Sequence, residues 1–172
     1  MRGRTLQFRA WGFALALALV PAAVAAGAGD PFGQTLVRTA DGRSVELAPG
    51  APALHVVFLA TWCPPCLDEF EALAELEARW GERGYRLVLV PVKTRHTIER
   101  LREFDEERRL PGELLFDSQG AAQTAAGATE LPTHLLYDAS GKQVLRSGAF
   151  ADGVAAAVAS LLENSTPRSP RR

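Results

Sequence analysis

Cysteine and histidine are scarce in this 172-residue chain, with 2 Cys and 3 His, and charge of one sign is not in excess, since the formal net charge is -1. Two cysteines are too few for a disulfide-stapled miniature scaffold, and they cannot by themselves hold a structural zinc ion. A near-neutral chain has no basic excess to attract a phosphate backbone, so nucleic-acid binding is not expected. The 47% hydrophobic and 23% charged residues are ordinary for a globular protein and predict one folded domain.

The first residues have the pattern of a secretory signal peptide. Three arginines and no acidic residue precede an apolar run over residues 11–20, and a stretch of small residues follows. We predict a signal peptide over residues 1–26, with an uncleaved inner-membrane anchor over residues 11–28 as the alternative. Both alternatives export the rest of the chain and imply a periplasmic location.

The remaining chain divides into one domain and a short tail. Residues 27–164 are predicted to form the folded domain. Residues 165–172 hold three Arg, two Pro and two Ser, a composition that predicts a disordered basic tail.

Short apolar runs alternate with helical patterns along the domain, which predicts an α/β fold. The order β-β-β-α-β-α-β-(α)-β-β-α indicates an open, central mixed β-sheet flanked by helices on both faces, with an extra N-terminal β-hairpin. The predicted elements are strands at 34–39, 44–47, 54–60, 86–92, 113–116, 133–137 and 142–146, and helices at 64–80, 97–109, 121–126 and from 152 to about 163.

Both cysteines lie in one motif, W-C-P-P-C over residues 62–66, which follows a buried strand and opens a predicted helix. Their spacing at the start of a helix brings the two sulfurs within bonding distance. A disulfide closing so small a ring stabilises a fold by only about 2 kcal/mol in loop-entropy terms. The motif therefore favours a bond that opens and closes over a structural staple.

The position of the motif distinguishes the two sulfurs. Cys63 faces the helix N-terminus, where unpaired amides and the helix dipole favour a thiolate and lower the thiol pKa. We predict that Cys63 is the nucleophile and that the more shielded Cys66 resolves the mixed disulfide. Pro64 fits the first helical turn because its missing N–H has no helical partner. An inert staple and a metal site with additional histidine ligands are the alternatives.

The stretch F-L-A-T-W-C-P-P-C-L-D-E-F over residues 58–70 resembles the thioredoxin-like proteins of the TlpA/ResA type, which are exported thiol–disulfide oxidoreductases. The resemblance runs over residues 32–163 and includes L-P-T at 131–133. It implies a thioredoxin-like fold and a dithiol that exchanges electrons with client proteins without a cofactor.

The resemblance also implies a substrate-binding surface around the cysteines. The Leu131-Pro132 bond is expected to be cis and to pack against the cysteine pair, so that the backbone of Leu131 faces an extended substrate segment. The predicted substrate-binding residues are therefore Trp62, Pro64, Pro65, Leu131 and Pro132.

Glu69 is the third candidate catalytic residue. Helical spacing puts Glu69 on the side of the helix that carries Cys66 and apolar residues. Desolvation there is expected to raise the pKa of Glu69, which could then shuttle a proton for the thiols. This arrangement resembles that of TlpA/ResA-like proteins, which have a glutamate three residues after the second cysteine. The alternative is a glutamate on the solvated side of the helix.

Three positions depart from related proteins. Val57 stands where thioredoxins carry a buried acid, which increases the importance of Glu69. No proline follows Glu69, so we expect a straighter helix. His134 replaces an apolar or hydroxyl residue. It is either a sheet histidine whose hydrogen bonds are satisfied, a contributor to the thiol pKa or a metal ligand.

The other two histidines are assigned no role. We expect His55 at a strand edge and His96 in a loop.

The resemblance implies reduction of client cysteine pairs, for example in cytochrome c maturation, by a monomer that receives electrons from a DsbD-like membrane donor. A disulfide oxidase or isomerase is an alternative. Another is a copper chaperone similar to the Sco type, with Cu(I) on Cys63, Cys66 and His134. A thiol peroxidase is disfavoured, because Ala60 stands where such enzymes carry a threonine.

Overall fold

Seven strands and five α-helices follow one another along residues 35–47 and 50–165, the part of the chain that the computed structural model describes. They are β1 (Thr35–Arg38), β2 (Ser44–Glu46), β3 (Ala53–Leu59), α1 (Pro64–Asp68), α2 (Phe70–Trp80), β4 (Tyr85–Pro91), α3 (Ile98–Arg108), β5 (Glu113–Phe116), α4 (Ala121–Ala125), β6 (Thr133–Asp138), β7 (Gln143–Ser147) and α5 (Val154–Ser165). No helix within these residues is long and apolar enough to cross a bilayer. The predicted signal peptide or anchor and residues 166–172 of the predicted tail lie outside the described residues.

The strands form one mixed sheet in the order β2-β1-β5-β4-β3-β6-β7. The pairs β3–β4 and β4–β5 are parallel, and the other pairs are antiparallel. All seven residues of β3 are buried, as a continuous apolar run predicts for a strand that is covered on both faces. The predicted mixed sheet and its extra N-terminal hairpin are confirmed.

Helices cover both faces of the sheet, because its strands are apolar on both sides. The larger apolar cluster joins one face to α1, α2, α3 and α5 and contains both cysteines. The second cluster covers the opposite face and includes Ala122 of α4. The active-site helix and the C-terminal helix therefore lie on the same side of the sheet.

Antiparallel pairing of β3 with β6 brings the two sequence motifs to one edge of the sheet. Phe58 near the end of β3 lies opposite Thr133 at the start of β6. The cysteine motif follows β3 directly, and Leu131-Pro132 directly precedes β6. Strand register alone therefore places these segments beside each other, although about 65 residues separate them in the chain.

The helix predicted over residues 64–80 is interrupted at Glu69, and a straighter course than in related proteins stays a prediction. The first segment ends at Asp68 and the second begins at Phe70, while Glu69 has φ -92° and ψ -9°. The carboxylate of Glu69 is bound to the backbone N–H of Phe150 and to His134. The break therefore coincides with a side chain that is bound to β6 and to the segment before α5.

Candidate active site

Cys63 and Cys66 form a disulfide at the start of α1, with their Cα atoms 5.4 Å apart. Cys63 is the residue before the helix, and Pro64 is its first residue. Cys63 is 6% exposed and Cys66 is 2% exposed, so the first cysteine is the more accessible. This order agrees with a nucleophilic Cys63 and a resolving Cys66, and these two roles remain predictions.

Trp62 is the large exposed side chain beside the disulfide, at 46% exposure. Its indole N–H donates to the carbonyl of Thr94 at 3.3 Å, and the Arg95 guanidinium lies 5.7 Å from the indole centroid. Both residues belong to the loop after β4. No motif in the sequence assigned a role to this loop, but one signal could have found it: the ends of neighbouring parallel strands lie side by side, so the loop after β4 lies beside the motif that follows β3.

His96 connects the same loop to the residue before Trp62. Its Nδ1 lies 2.6 Å from the carbonyl of Val92, so Nδ1 carries the proton and donates. Its Nε2 accepts from the backbone N–H of Thr61 at 3.2 Å. The predicted loop position of His96 is confirmed, and its hydrogen bonds support the backbone next to the cysteine motif.

The Leu131-Pro132 peptide bond is cis, as predicted. Pro132 is buried, and Leu131 is partly buried and packs against the apolar cluster that contains both cysteines. The hydroxyl of Thr133 donates to the carbonyl of Glu130 at 2.6 Å and supports the loop. Substrate binding by Leu131, Pro132 and the other predicted residues remains a prediction.

Glu69 is held inside the fold by both of its carboxylate oxygens. Oε1 accepts from the backbone N–H of Phe150 at 2.7 Å, and Oε2 lies 2.9 Å from Nε2 of His134. The side chain is 17% exposed. The alternative of a solvated helix glutamate is therefore wrong, and the carboxylate has a defined position one helical turn after Cys66.

His134 is fully buried and has a partner at each ring nitrogen. Nε2 faces Glu69, and Nδ1 lies 3.1 Å from Nε2 of His55. The interpretation of His134 as a satisfied sheet histidine is confirmed. In the β3–β6 register it lies opposite Val57, the position where thioredoxins carry an acid, so an imidazole from the neighbouring strand occupies this part of the interior.

His55 lies in the centre of the sheet and is fully buried, so its expected position at a strand edge is wrong. Its Nδ1 is 2.7 Å from the hydroxyl of Tyr85 on the neighbouring strand β4. A buried polar group needs a hydrogen-bond partner, and both ring nitrogens have one. The signal for this contact was a single histidine within an otherwise apolar strand.

Burial sets the charge of these side chains. It lowers the pKa of His55 to about 3, and the neighbouring His134 contributes to this decrease. Burial also lowers the pKa of His134, although Glu69 and, less strongly, Asp152 oppose it. Burial raises the pKa of Tyr85, with a smaller contribution from Glu77. At neutral pH both imidazoles are therefore uncharged and the phenol keeps its proton.

The predicted copper alternative is not supported by this arrangement. Within residues 35–47 and 50–165, no group of three or more His, Cys, Asp or Glu residues is suited to hold a metal ion. His134 could join the two sulfurs as a ligand only by giving up its hydrogen bond to Glu69 or the one to His55.

Comparison with known proteins agrees with this fold. The sequence model that describes the AhpC/TSA family matches residues 28–145 of this chain. The thiol-disulfide oxidoreductase ResA of Bacillus thuringiensis subsp. konkukian (strain 97-27) is 26% identical over 110 residues, which are 63% of this chain and 62% of that protein. The chain thus spans less than two thirds of this curated relative.

Solved structures extend the similarity to three dimensions. An uncharacterized thioredoxin-like protein from Porphyromonas gingivalis has a TM-score of 0.64 and 25% identity, covering 76% of this chain and 90% of its own. StoA from Bacillus subtilis has a TM-score of 0.60 and 19% identity, covering 70% and 92%. The predicted thioredoxin-like fold is confirmed, and the match over residues 28–145 shows that this chain belongs to the AhpC/TSA family.

Proposed function

We propose that this protein is an exported thiol–disulfide oxidoreductase whose Cys63–Cys66 pair exchanges electrons with cysteine pairs of client proteins. The observation that carries the proposal is the disulfide at the start of α1, at the sheet edge where Leu131-Pro132 also lies. Similarity to ResA supports the same chemistry.

In the reducing direction, the reaction transfers two electrons and two protons to the client. The Cys63 thiolate attacks a client disulfide, forms a mixed disulfide and releases one client thiolate, which takes up a proton. The Cys66 thiol then loses its proton and attacks the Cys63 sulfur. The mixed disulfide breaks, the second client thiolate leaves and is protonated, and the Cys63–Cys66 disulfide forms.

Glu69 is the residue best placed to accept the proton of Cys66. It follows Cys66 by one helical turn, and its two oxygens are bound to groups of the protein interior. A carboxylate that is held one helical turn after a shielded thiol can act as the general base for the resolving step. In the reverse reaction the same carboxylate returns the proton.

The surface around the cysteines suits an extended client segment. Trp62, Pro64 and Pro65 are exposed, while Leu131 and Pro132 form the neighbouring loop. The apolar ring of Trp62 offers contact area, and the backbone of Leu131 offers hydrogen-bonding groups. Client binding at this surface brings a client disulfide to Cys63, the more exposed of the two cysteines.

The direction of electron flow that we propose is reduction, in the periplasm, of clients of the cytochrome c maturation type. The N-terminal segment over residues 1–26 supports export, as a signal peptide or, over 11–28, as an anchor. A reductant in an oxidising compartment needs an electron source, so we propose a DsbD-like membrane donor for this monomer. A disulfide oxidase or isomerase is the alternative direction.

Two measurements test this proposal. Reduced protein should reduce the disulfides of insulin, and its potential against glutathione should lie well below about -200 mV, whereas a value near -120 mV indicates an oxidant. Failure to exchange with any disulfide would overturn the proposal as a whole. Capture of periplasmic clients on the Cys66→Ser protein would then identify the physiological substrates.

A further inference from the structure

Four side chains form a continuous hydrogen-bonded row through the larger apolar cluster, and we call them the Glu69–Tyr85 row. Glu69 Oε2 is 2.9 Å from His134 Nε2, His134 Nδ1 is 3.1 Å from His55 Nε2, and His55 Nδ1 is 2.7 Å from the Tyr85 hydroxyl. Tyr85 is the first residue of β4 and pairs with Ala53, the first residue of β3. It therefore lies at the opposite end of these strands from the cysteine motif, and the row runs from one end of the central strands to the other.

The donors and acceptors of the row have one consistent direction when Glu69 is ionised. A carboxylate only accepts, so His134 donates from Nε2 and, being neutral, presents a lone pair at Nδ1. His55 then donates from Nε2 and accepts at Nδ1. The Tyr85 hydroxyl supplies the hydrogen at that end, so every bond points towards Glu69.

The surroundings keep the two imidazoles neutral, which this direction requires. The charged groups that face the row are Asp152 near His134 and Glu77 near Tyr85. Both favour a proton on their neighbour, yet burial outweighs Glu69 and Asp152 together, and the pKa of His134 stays below its usual value. An imidazolium at His134 would donate from both nitrogens and reverse the bond to His55.

We propose that His134, His55 and Tyr85 are positioning residues that hold the Glu69 carboxylate in one orientation, as the acceptor for the proton of Cys66. The inference rests on the proposed function and adds to it residues that act through Glu69 and not on a sulfur. The Phe150 N–H binds one carboxylate oxygen and His134 binds the other, so both oxygens have fixed positions. The tautomers of His134 and His55 and the hydroxyl of Tyr85 determine whether His134 can donate to Glu69.

The hydroxyl of Tyr85 gives the sharpest test, because Tyr85→Phe removes one oxygen at the end of the row. Reduced protein is mixed with 5,5′-dithiobis(2-nitrobenzoate), and the absorbance of released thionitrobenzoate separates attack by Cys63 from resolution by Cys66. We expect the second phase to slow and its pH profile to shift by less than about one unit, because the hydroxyl binds His55 and only part of the free energy of that hydrogen bond reaches the carboxylate. The first phase should not change.

Tyr137→Phe is the matched control. Both tyrosines are 5% exposed, but Tyr137 belongs to the apolar cluster on the opposite face of the sheet. Its substitution should leave the second phase at its original pH. In a Glu69→Gln background, Tyr85→Phe should have no further effect on the profile, since the row then has no carboxylate to hold.

The ring tautomers can be read directly in the unmodified protein by nitrogen-15 NMR. His134 and His55 should both carry their proton on Nε2, whereas His96, which donates from Nδ1 to Val92, should show the opposite tautomer and serves as an internal reference. A proton on Nδ1 of His134 or His55 at neutral pH would overturn the inference even if Tyr85→Phe does not fold.

The kinetic outcomes separate this inference from the proposed function. If Glu69→Gln leaves the second phase unchanged, Glu69 is not the base and the role given to it fails. If Glu69→Gln slows that phase while folded Tyr85→Phe protein behaves like the parent, Glu69 keeps its role and the positioning row is wrong.

Discussion

The carboxylate of Glu69 and the imidazole of His134 meet at 2.9 Å, although 65 residues separate them in the chain. One comes from the break in the active-site helix and the other from the strand that follows the cis Leu131-Pro132 bond. The contact joins the two segments that meet beside the disulfide. It also replaces water as the partner of a carboxylate one turn after Cys66.

Substitution of either cysteine should separate the two thiol roles. We expect Cys63→Ser to abolish reduction of insulin disulfides, because the attacking thiolate is lost. Cys66→Ser should instead accumulate mixed disulfides, which non-reducing electrophoresis detects. Full activity in the Cys63→Ser protein, or mixed disulfides formed through Cys66 in it, would reverse the assignment.

Glu69→Gln should lower the rate of insulin reduction by up to about 100-fold and change its pH dependence, because an amide cannot accept the thiol proton. Glu71→Gln is the control, since Glu71 is exposed in the first turn of α2, two residues after Glu69. Equal rates in these two variants across the pH range would remove Glu69 from the mechanism.

Trp62→Ala should weaken the binding of protein clients without changing the chemistry of the thiols. The indole is 46% exposed beside Cys63, so its removal takes contact area from the client. We expect KM for insulin to rise several-fold and the rate with 5,5′-dithiobis(2-nitrobenzoate) to stay constant. A parallel loss with both substrates would indicate that Trp62 supports the cysteine loop and not the client.

On acidification, this fold should begin to lose stability at a higher pH than titration of its carboxylates alone would cause. The pKa of His55 is lowered from 6.5 to about 3, so below pH 6.5 the unfolded chain binds a proton that the folded chain does not. The free energy of unfolding should therefore be constant above about pH 7 and fall below pH 6.5. For His55 the slope approaches about 1.4 kcal/mol for each pH unit.

Urea unfolding at pH 7, 6 and 5 measures this decrease, in a range where most carboxylates stay ionised. The decrease should be smaller in a folded His55→Gln variant, because the buried imidazole that causes it is absent. If the unfolding free energy is the same at pH 7 and pH 5, His55 is not buried in its neutral form.

Much of the cysteine site could be predicted from the sequence because its determinants are local. The spacing of Cys63 and Cys66 and the strand before them predicted a disulfide at a helix start, which is present. The periodicity of apolar residues predicted the mixed sheet and its N-terminal hairpin. The disulfide and the hairpin depend on residues only a few positions apart, whose geometry follows from backbone conformation.

The environment of Glu69 was decided by tertiary structure. Helical spacing put Glu69 on the buried side of the helix. It could not identify the hydrogen-bond partners of the carboxylate, and it could not predict that the helix is interrupted at this residue. His55 was assigned to a strand edge because a lone histidine in an apolar run has no local sign of a partner. Only the alignment of β3 between β4 and β6 brings Tyr85 and His134 to its two nitrogens, from 30 and 79 residues away. The local sequence pattern determined the position of the two cysteines at the start of a helix. Strand register determined which buried side chains surround Glu69, because hydrogen bonds between distant segments exist only once the sheet has formed.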